Sequence, residues 1–382
     1  DIIRPTPLAK AYGIAEDCAL YLKPECLQKT GSFKLRGSGY KIAMLSDEEK
    51  AKGVIACSAG NHAQGVALAA SKCGISSLIC LPDTAPISKV EATKGYGAQV
   101  CLVPGVYDDA YNKALELKEE HGYTFVHPFD DEYVIAGQGT IGLEIMNEMS
   151  DVDAVLVPIG GGGLISGVAC AIKSISPHVK VYGVQAAGAP SMYNAIHHGK
   201  MEALTSVSTI ADGIAVKKPG ELTYEMVKNY VDDIALVTED EIAAAILALI
   251  EKQKMIAEGA GAVSVAAAMF HKFPLEGKKV VSLISGGNID VTSLSRVIDR
   301  GLMKSGRTTS LLIELADKPG QLMEVSRIIA QCGGNVISVH HERNGETESI
   351  NGCYLRLSLE TRNYDHVQQI TQALRDAGFK IV

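Results

Sequence analysis

Four short segments carry residue types that can do chemistry. The first is Lys29-Thr-Gly-Ser-Phe33-Lys34-Leu-Arg-Gly37. A lysine beside a Gly/Ser turn is either a solvated side chain or an amine held for condensation with a carbonyl group. Alone, this segment favours the solvated reading. The second is Cys57-Ser58-Ala59-Gly60-Asn61-His62-Ala-Gln-Gly65, directly after the apolar run at 54–56. Backbone N–H groups at such a strand-to-helix turn form an anion pocket. A structural turn explains the segment equally well, and His62 fits packing as readily as base chemistry. The third is Pro158-Ile-Gly160-Gly161-Gly162-Gly163-Leu164-Ile-Ser-Gly167, after the apolar run at 154–157. Four consecutive glycines bare their N–H groups at a helix start, which makes a phosphate cradle. The fourth, Leu283-Ile-Ser285-Gly-Gly-Asn288, sets a hydroxyl beside bare backbone and alone reads as a turn.

The glycine run does not suit a dinucleotide. Ser166 stands where the third glycine of G-x-G-x-x-G belongs, and the next strand ends in Gln185 rather than an acid. A Walker A loop is excluded because no Gly-Lys-Ser/Thr follows. A monophosphate fits better.

The elements that would position these loops alternate between about residues 50 and 298. Apolar runs at 54–56, 78–81, 99–103, 154–157, 181–184 and 280–284 read as buried strands. Periodic stretches at 109–121, 163–174 and 240–255 read as helices. This alternation predicts an α/β fold of parallel sheet, helices on both faces and ligands at the carboxyl ends of strands. After Arg300 the pattern changes. A polar stretch at 303–309 reads as a linker. Strands at 310–315, 336–340, 353–360 and 379–382 and helices at 321–332 and 364–376 then give a ferredoxin-like βαββαβ order. The expected division is 1–302, with a smaller subdomain at about 47–145, then a linker at 303–308 and a small domain at 309–382.

Composition bounds the partners. The chain has 382 residues, 47% hydrophobic and 21% charged, with formal charge 36 − 44 = −8. It has no Trp, 5% aromatics and no basic stripe, which argues against nucleic acid. The longest apolar stretch, at 242–250, is far short of the ~20 residues of a membrane span. The first residues, Asp-Ile-Ile-Arg-Pro, form no apolar signal region. Nine Cys without C-x-x-C spacing read as reduced, core-filling thiols of a cytoplasmic protein. His197-His198 and His340-His341 are not spaced as metal ligands along the chain, and no metal site is expected.

Taken together and in this order, Ser-Phe-Lys34-Leu-Arg-Gly, Ser58-Ala-Gly-Asn-His, the glycines 160–163 and Ser285-Gly-Gly-Asn resemble the fold-type II pyridoxal-phosphate enzymes, and within them the threonine dehydratases (threonine ammonia-lyases). The likeness runs from about Arg4 to Ile298. The tail resembles an ACT regulatory domain through Asp317-Lys-Pro-Gly-Gln-Leu and Gly334-Asn335-Val-Ile.

The resemblance implies pyridoxal 5'-phosphate bound to Lys34, with Phe33 beside the ring and Asn61 at the ring hydroxyl. It implies Gly160, Gly161, Gly162, Gly163 and Leu164 around the phosphate and Ser285 facing the pyridine nitrogen. Ser58, Ala59, Gly60, Asn61 and His62 would take the substrate carboxylate. The implied reaction dehydrates and deaminates L-threonine to 2-oxobutanoate, and L-serine to pyruvate, with Lys34 removing the α-proton. Rival readings are a serine or hydroxyaspartate dehydratase and a non-catalytic amino-acid sensor. Racemases of the family carry Ser at the position of Ala59, so the resemblance implies elimination without substantial racemisation. The stretch Gln185-Ala-Ala-Gly-Ala-Pro-Ser191 lacks the carboxylates that hold a divalent cation in those relatives; a monovalent cation stays open. Glu258 matches an acid near the cofactor or a charge at a helix start. For the tail, the resemblance implies isoleucine or valine as effector, held by Gly320, Gln321, Leu322, Asn335 and Val336, in a homodimer or homotetramer.

Overall fold

Short runs of β-branched and aliphatic residues form the strands, and their burial explains why. In the computed structural model, residues 2–342 and 352–382 are described. The strands are β1 Ala9–Lys10, β2 Ala19–Pro24, β3 Val54–Cys57, β4 Ser77–Pro82, β5 Gln99–Val103, β6 Thr124–Phe125, β7 Ala154–Pro158, β8 Lys180–Ala186, β9 Asp233–Val237, β10 Lys279–Ile284, β11 Thr308–Ala316, β12 Asn335–Glu342, β13 Gly352–Glu360 and β14 Lys380–Ile381. Every residue of β3 and β7 is buried, as strands covered on both faces require.

The chain divides into two compact units, Asp1–Asp290 and Val291–Val382. The first holds two sheets. One has the order β1-β2-β10-β7-β8-β9, parallel except for β1 on β2. The other is fully parallel, in the order β5-β4-β3-β6. The α/β architecture read from the sequence is therefore present. The core of the four-stranded sheet reaches back to Leu35, Ile42 and Leu45, which pack with Val54, Ala56 and Val66. The smaller layer thus begins before residue 47, because the helix Lys34–Ala43 lays its apolar face on it.

Three local expectations are corrected. The helix expected at 240–255 is Glu239–Ala248, continued by a wide turn at Leu249–Gln253 and stopped by Lys254 in the left-handed region, φ 57°. The linker expected at 303–308 does not separate the units: Met303 and Lys304 end the helix Val291–Lys304, and Thr308 already opens β11. The cysteines are free, but Cys57, Cys80 and Cys353 alone are fully buried and Cys73 is exposed, so core filling explains only some of them.

In the second unit the sheet order is β12-β13-β11-β14, with antiparallel pairing throughout. The helices Gln321–Gln331 and Tyr364–Asp376 supply Val325, Ile328, Ile329, Ile370 and Leu374 to its core. This is the ferredoxin-like arrangement expected for the tail. Among the described residues no helix is long and apolar enough to cross a membrane.

Candidate active site

The carboxyl ends of β3, β6, β7 and β10 are followed by loops that line one cavity of about 920 Å³. Lys34, Phe33, Ser58, Ala59, Gly60, Asn61, His62, the glycines 160–163, Leu164 and Ser285 all face it. The structure therefore gathers every residue that the sequence singled out for the catalytic unit.

Lys34 opens the helix Lys34–Ala43. The loop before it is fastened to the β10 loop: Phe33 N donates to Ser285 O at 3.0 Å, and Gly287 N donates to Gly31 O at 2.9 Å. Gly31 sits at φ +71°, and a Cβ there would lie 2.3 Å from Asn288 Oδ1, so the two loops meet only through glycine. Lys34 Nζ donates to Pro128 O at 2.6 Å and lies 5.3 Å from the Phe33 ring centroid. Burial pushes its ammonium down to about 8, against the upward pull of Glu258.

The glycine run ends β7 and caps the helix Gly163–Ile175, whose first N–H groups have no acceptor within the helix. Phe129 fills the space behind it. A Cβ on Gly161 would fall 2.4 Å from that ring, and one on Gly163 would fall 2.7 Å from Phe129 O. Gly162 has φ +100°. Thr223 Oγ1 donates to Gly161 O at 2.6 Å and fixes the turn from the other side. Only glycine permits this backbone, which presents N–H groups to a small anion at the cavity wall.

At the helix Asn61–Lys72, Gly60 N donates to Ser58 Oγ at 3.1 Å, which shapes the loop. His62 is buried, with Nε2 2.8 Å from Val126 O and Nδ1 without a partner among the described residues. Burial, then the Lys34 charge, push it down to about 3, so it is a neutral imidazole at physiological pH. Asn61 Nδ2 donates to Glu258 Oε1 at 2.6 Å, and Asn288 Nδ2 donates to Asn61 Oδ1 at 2.8 Å. Glu258 precedes the helix Gly259–Met269 but makes no side-chain cap there. Its carboxyl accepts from Asn61 instead. Burial, reinforced by Asp212, pushes it up to about 7. Ser285 Oγ donates to Ala260 O at 3.2 Å and offers the cavity a neutral hydroxyl rather than a carboxylate.

The sequence reading missed the loop after β6. His127 Nδ1 accepts from Asp130 N at 2.7 Å and from Phe129 N at 3.2 Å, so its proton sits on Nε2. Burial pushes His127 down to about 4. Asp130 in turn caps the segment at 221–223, accepting from Glu221 N and Thr223 N at 3.1 Å each. The signal was weak because β6 has only two residues.

The effector residues do not converge within the chain. Gly320, Gln321 and Leu322 line a small cavity at the Ala316 end of β11. Asn335 opens β12 opposite Glu360, which pairs with Thr308 at the other end of β11. Eight residue steps at ~3.3 Å separate the two ends by roughly 26 Å. A pocket formed by both sets in one chain is ruled out by strand direction.

A family model described as pyridoxal-phosphate dependent enzyme matches residues 1–286. The chain belongs to this family. It is 51% identical to an L-threonine ammonia-lyase of Thermotoga maritima over 383 aligned positions, covering 100% of this chain and 95% of that protein. Among solved structures, the processed threonine deaminase isoform 2 of Solanum lycopersicum superposes with a TM-score of 0.76 at 40% identity, over 79% of this chain and 85% of that one. A maize serine racemase superposes with a TM-score of 0.74 at 36% identity, over 79% of this chain and 94% of that one.

The residues present fit pyridoxal phosphate. A half-buried lysine with a lowered ammonium suits the aldehyde, and the Cβ-intolerant glycine cradle suits the phosphate. Gly162→Ala tests the cradle. Its Cβ would meet Met192 Cε at 2.7 Å and Thr223 Cβ at 2.8 Å at an unfavourable φ. The empty loop is expected to relax away from a strain of ~1–3 kcal/mol, and restoring the cradle on binding would weaken cofactor affinity by up to roughly 5- to 150-fold. Spectrophotometric titration of the apoprotein would read this, with far-ultraviolet circular dichroism unchanged.

Proposed function

We propose that this protein is a threonine ammonia-lyase, converting L-threonine to 2-oxobutanoate and ammonia and accepting L-serine more slowly. The observation that carries the reading is Lys34, a half-buried amine lining the same cavity as the glycine run, in a chain similar end to end to an L-threonine ammonia-lyase.

When bound, pyridoxal phosphate supplies a carbonyl carbon for amines and a conjugated ring that takes up charge from the substrate Cα. The chain's own residues do the rest. The N–H groups at the start of the helix Asn61–Lys72, with Ser58, take the substrate carboxylate. Lys34 Nζ accepts the Cα proton in its neutral form. The Cα–H electron pair becomes the Cα–Cβ double bond as the Cβ–O bond breaks, and the hydroxyl leaves as water with the proton that Lys34 Nζ took from Cα. Hydrolysis then yields the keto acid and ammonia. The amide chain Asn288–Asn61–Glu258 holds Asn61 in one orientation. Ser285 keeps the ring side of the site neutral, which disfavours long-lived carbanions and so favours elimination over transamination. Ala59 offers no proton to the opposite face of Cα, which supports elimination without substantial racemisation.

The Lys34 amine also gives a pH dependence. Condensation needs the neutral amine, which predominates above its pKa. At pH 7 a group at about 8 is ~9% neutral, whereas an ordinary lysine near ~10.4 is ~0.04% neutral. Loading of cofactor onto the apoprotein should therefore speed up about tenfold per pH unit below 8 and level off above it. A rate still rising tenfold per unit at pH 9 would mean that Lys34 is an ordinary lysine.

Substrate class is tested by kcat/KM for L-threonine, L-serine and 3-hydroxyaspartate. Threonine should lead. A preference for hydroxyaspartate would move the protein to another dehydratase. The C-terminal unit is read as amino-acid responsive, with isoleucine or valine as effector on a homo-oligomer. A velocity titration with each amino acid, alongside sedimentation, tests that part.

A further inference from the structure

The C-terminal unit brings together Asp317, His341 and Cys353, side chains from three separate stretches of sequence. One ligand atom from each lies within 4.8 Å of the other two. Sheet geometry explains the meeting. His341 stands opposite Leu355 across β12 and β13, and Leu315 stands opposite Cys353 across β11 and β13. Opposed residues share a face and side chains alternate with period two. His341 and Cys353 are therefore diagonal neighbours on one face, and Asp317 continues that face two residues beyond Leu315. His341 Nε2 lies 3.0 Å from Cys353 Sγ. Cys353 is buried, while Asp317 and His341 are exposed, so the thiol forms the floor and the other two form the rim. Beside them lies a cavity of about 90 Å³, also lined by Lys318, Gln321 and Leu322.

We propose that Asp317, His341 and Cys353 form a binding site for a zinc-class divalent cation, with its fourth coordination position open to this cavity. The ligand set carries the choice of metal. Thiolate, imidazole and carboxylate together suit Zn²⁺ and Co²⁺, whereas Mg²⁺ and Ca²⁺ take oxygen ligands. The spacing is near what such an ion needs. Bonds of ~2.0–2.3 Å in a tetrahedron put donor atoms ~3.3–3.6 Å apart. The His341–Cys353 pair must open by about half an ångström, and the Asp317 carboxylate must close by at most about 1.5 Å. Binding forms a metal–sulfur bond and releases the thiol proton to solvent, so affinity rises with pH. Sequence spacing hid the site, because the ligands are separated by strands rather than by a short loop.

The test is titration of the full-length holoenzyme with Co²⁺, read in the visible region to the red of the cofactor, together with metal content after dialysis against Zn²⁺. The expected result is the intense d–d spectrum of a four-coordinate cobalt–thiolate centre, saturating at one equivalent per chain. His341→Ala, at an exposed position, should weaken binding at least as much as the ~10–100-fold that losing an outer partner costs. Cys353→Ser should abolish the spectrum, and Cys73→Ser, at an exposed cysteine elsewhere, should leave it intact. Absence of the spectrum at one equivalent, or its survival in His341→Ala, would overturn the proposal. Because His341 is exposed, that variant decides the matter even if Cys353→Ser folds poorly.

Discussion

Lys34→Ala is expected to lower L-threonine turnover by ~10³-fold or more, since a positioned general base alone is worth ~10²–10⁴. On the proposed reading, the same change removes the amine that bonds the cofactor. Borohydride treatment followed by peptide mass mapping should then find no cofactor on the 29–37 segment of the variant and should find it there in the parent enzyme. Cofactor should still bind reversibly, because the cradle at 160–163 and the Asn61 amide are untouched. Added methylamine should restore part of the activity by supplying a free amine to the cavity. Turnover within tenfold of the parent would mean that another group accepts the Cα proton. His62 and His127 are poor candidates, because burial pushes them down to about 3 and about 4.

Arg36→Ala is expected to cost ~3–5 kcal/mol of stability, the range for breaking a buried ion pair from one side. Arg36 is two residues after Lys34 and its side chain is fully buried. Its Nε and Nη2 donate to Glu25 Oε2 and Oε1 at 2.7 and 2.8 Å. Nη1 and Nη2 donate to Glu144 at 2.6 and 2.9 Å, and Lys23 Nζ reaches Glu144 at 2.7 Å. Glu25 is itself fully buried, and its other support is Thr6 Oγ1 at 2.5 Å. Without Arg36 that carboxylate keeps its desolvation cost and loses its counter-charge. The loss is a large share of the ~5–15 kcal/mol that stabilises a typical domain. Urea denaturation should show a midpoint fall with an unchanged slope. The paired change Arg36→Met with Glu25→Met should recover most of the loss, since apolar replacement of a whole buried pair is often neutral or better. A single-variant cost below ~1 kcal/mol would mean that water already reaches this network.

The same network shows why part of the fold was hard to read from sequence. β2 pairs parallel with β10 near the middle of the large sheet, but its sequence, Ala-Leu-Tyr-Leu-Lys-Pro, is interrupted by a lysine. Lys23 is fully buried and neutralised by Glu144, a partner 121 residues away. No local pattern announces that. β3, β7 and β10 were legible because both faces are covered and the strands read as continuous apolar runs. In the site, the glycine run was legible by itself as a phosphate cradle, while Lys34, the Ser58–His62 loop and Ser285, ambiguous one by one, became legible through the resemblance that the four segments carry together. Pro128, His127 and Asp130 were not, since a two-residue strand precedes them and their roles pass through backbone carbonyl and amide groups. Glu258 was legible only as an alternative. Its choice of Asn61 over its own helix start depends on β10 bringing Gly286 and Asn288 alongside. The Gly320 and Asn335 segments look adjacent in a motif reading, yet strand direction sends them to opposite ends of one sheet.

The most direct test of the central claim is the product balance of the purified holoenzyme with L-threonine. The account predicts 2-oxobutanoate and ammonia released in equal amounts as threonine is consumed, with little D-serine formed from L-serine in parallel. Bound cofactor on Lys34 without keto acid from threonine, or racemised serine as the main product, would contradict it.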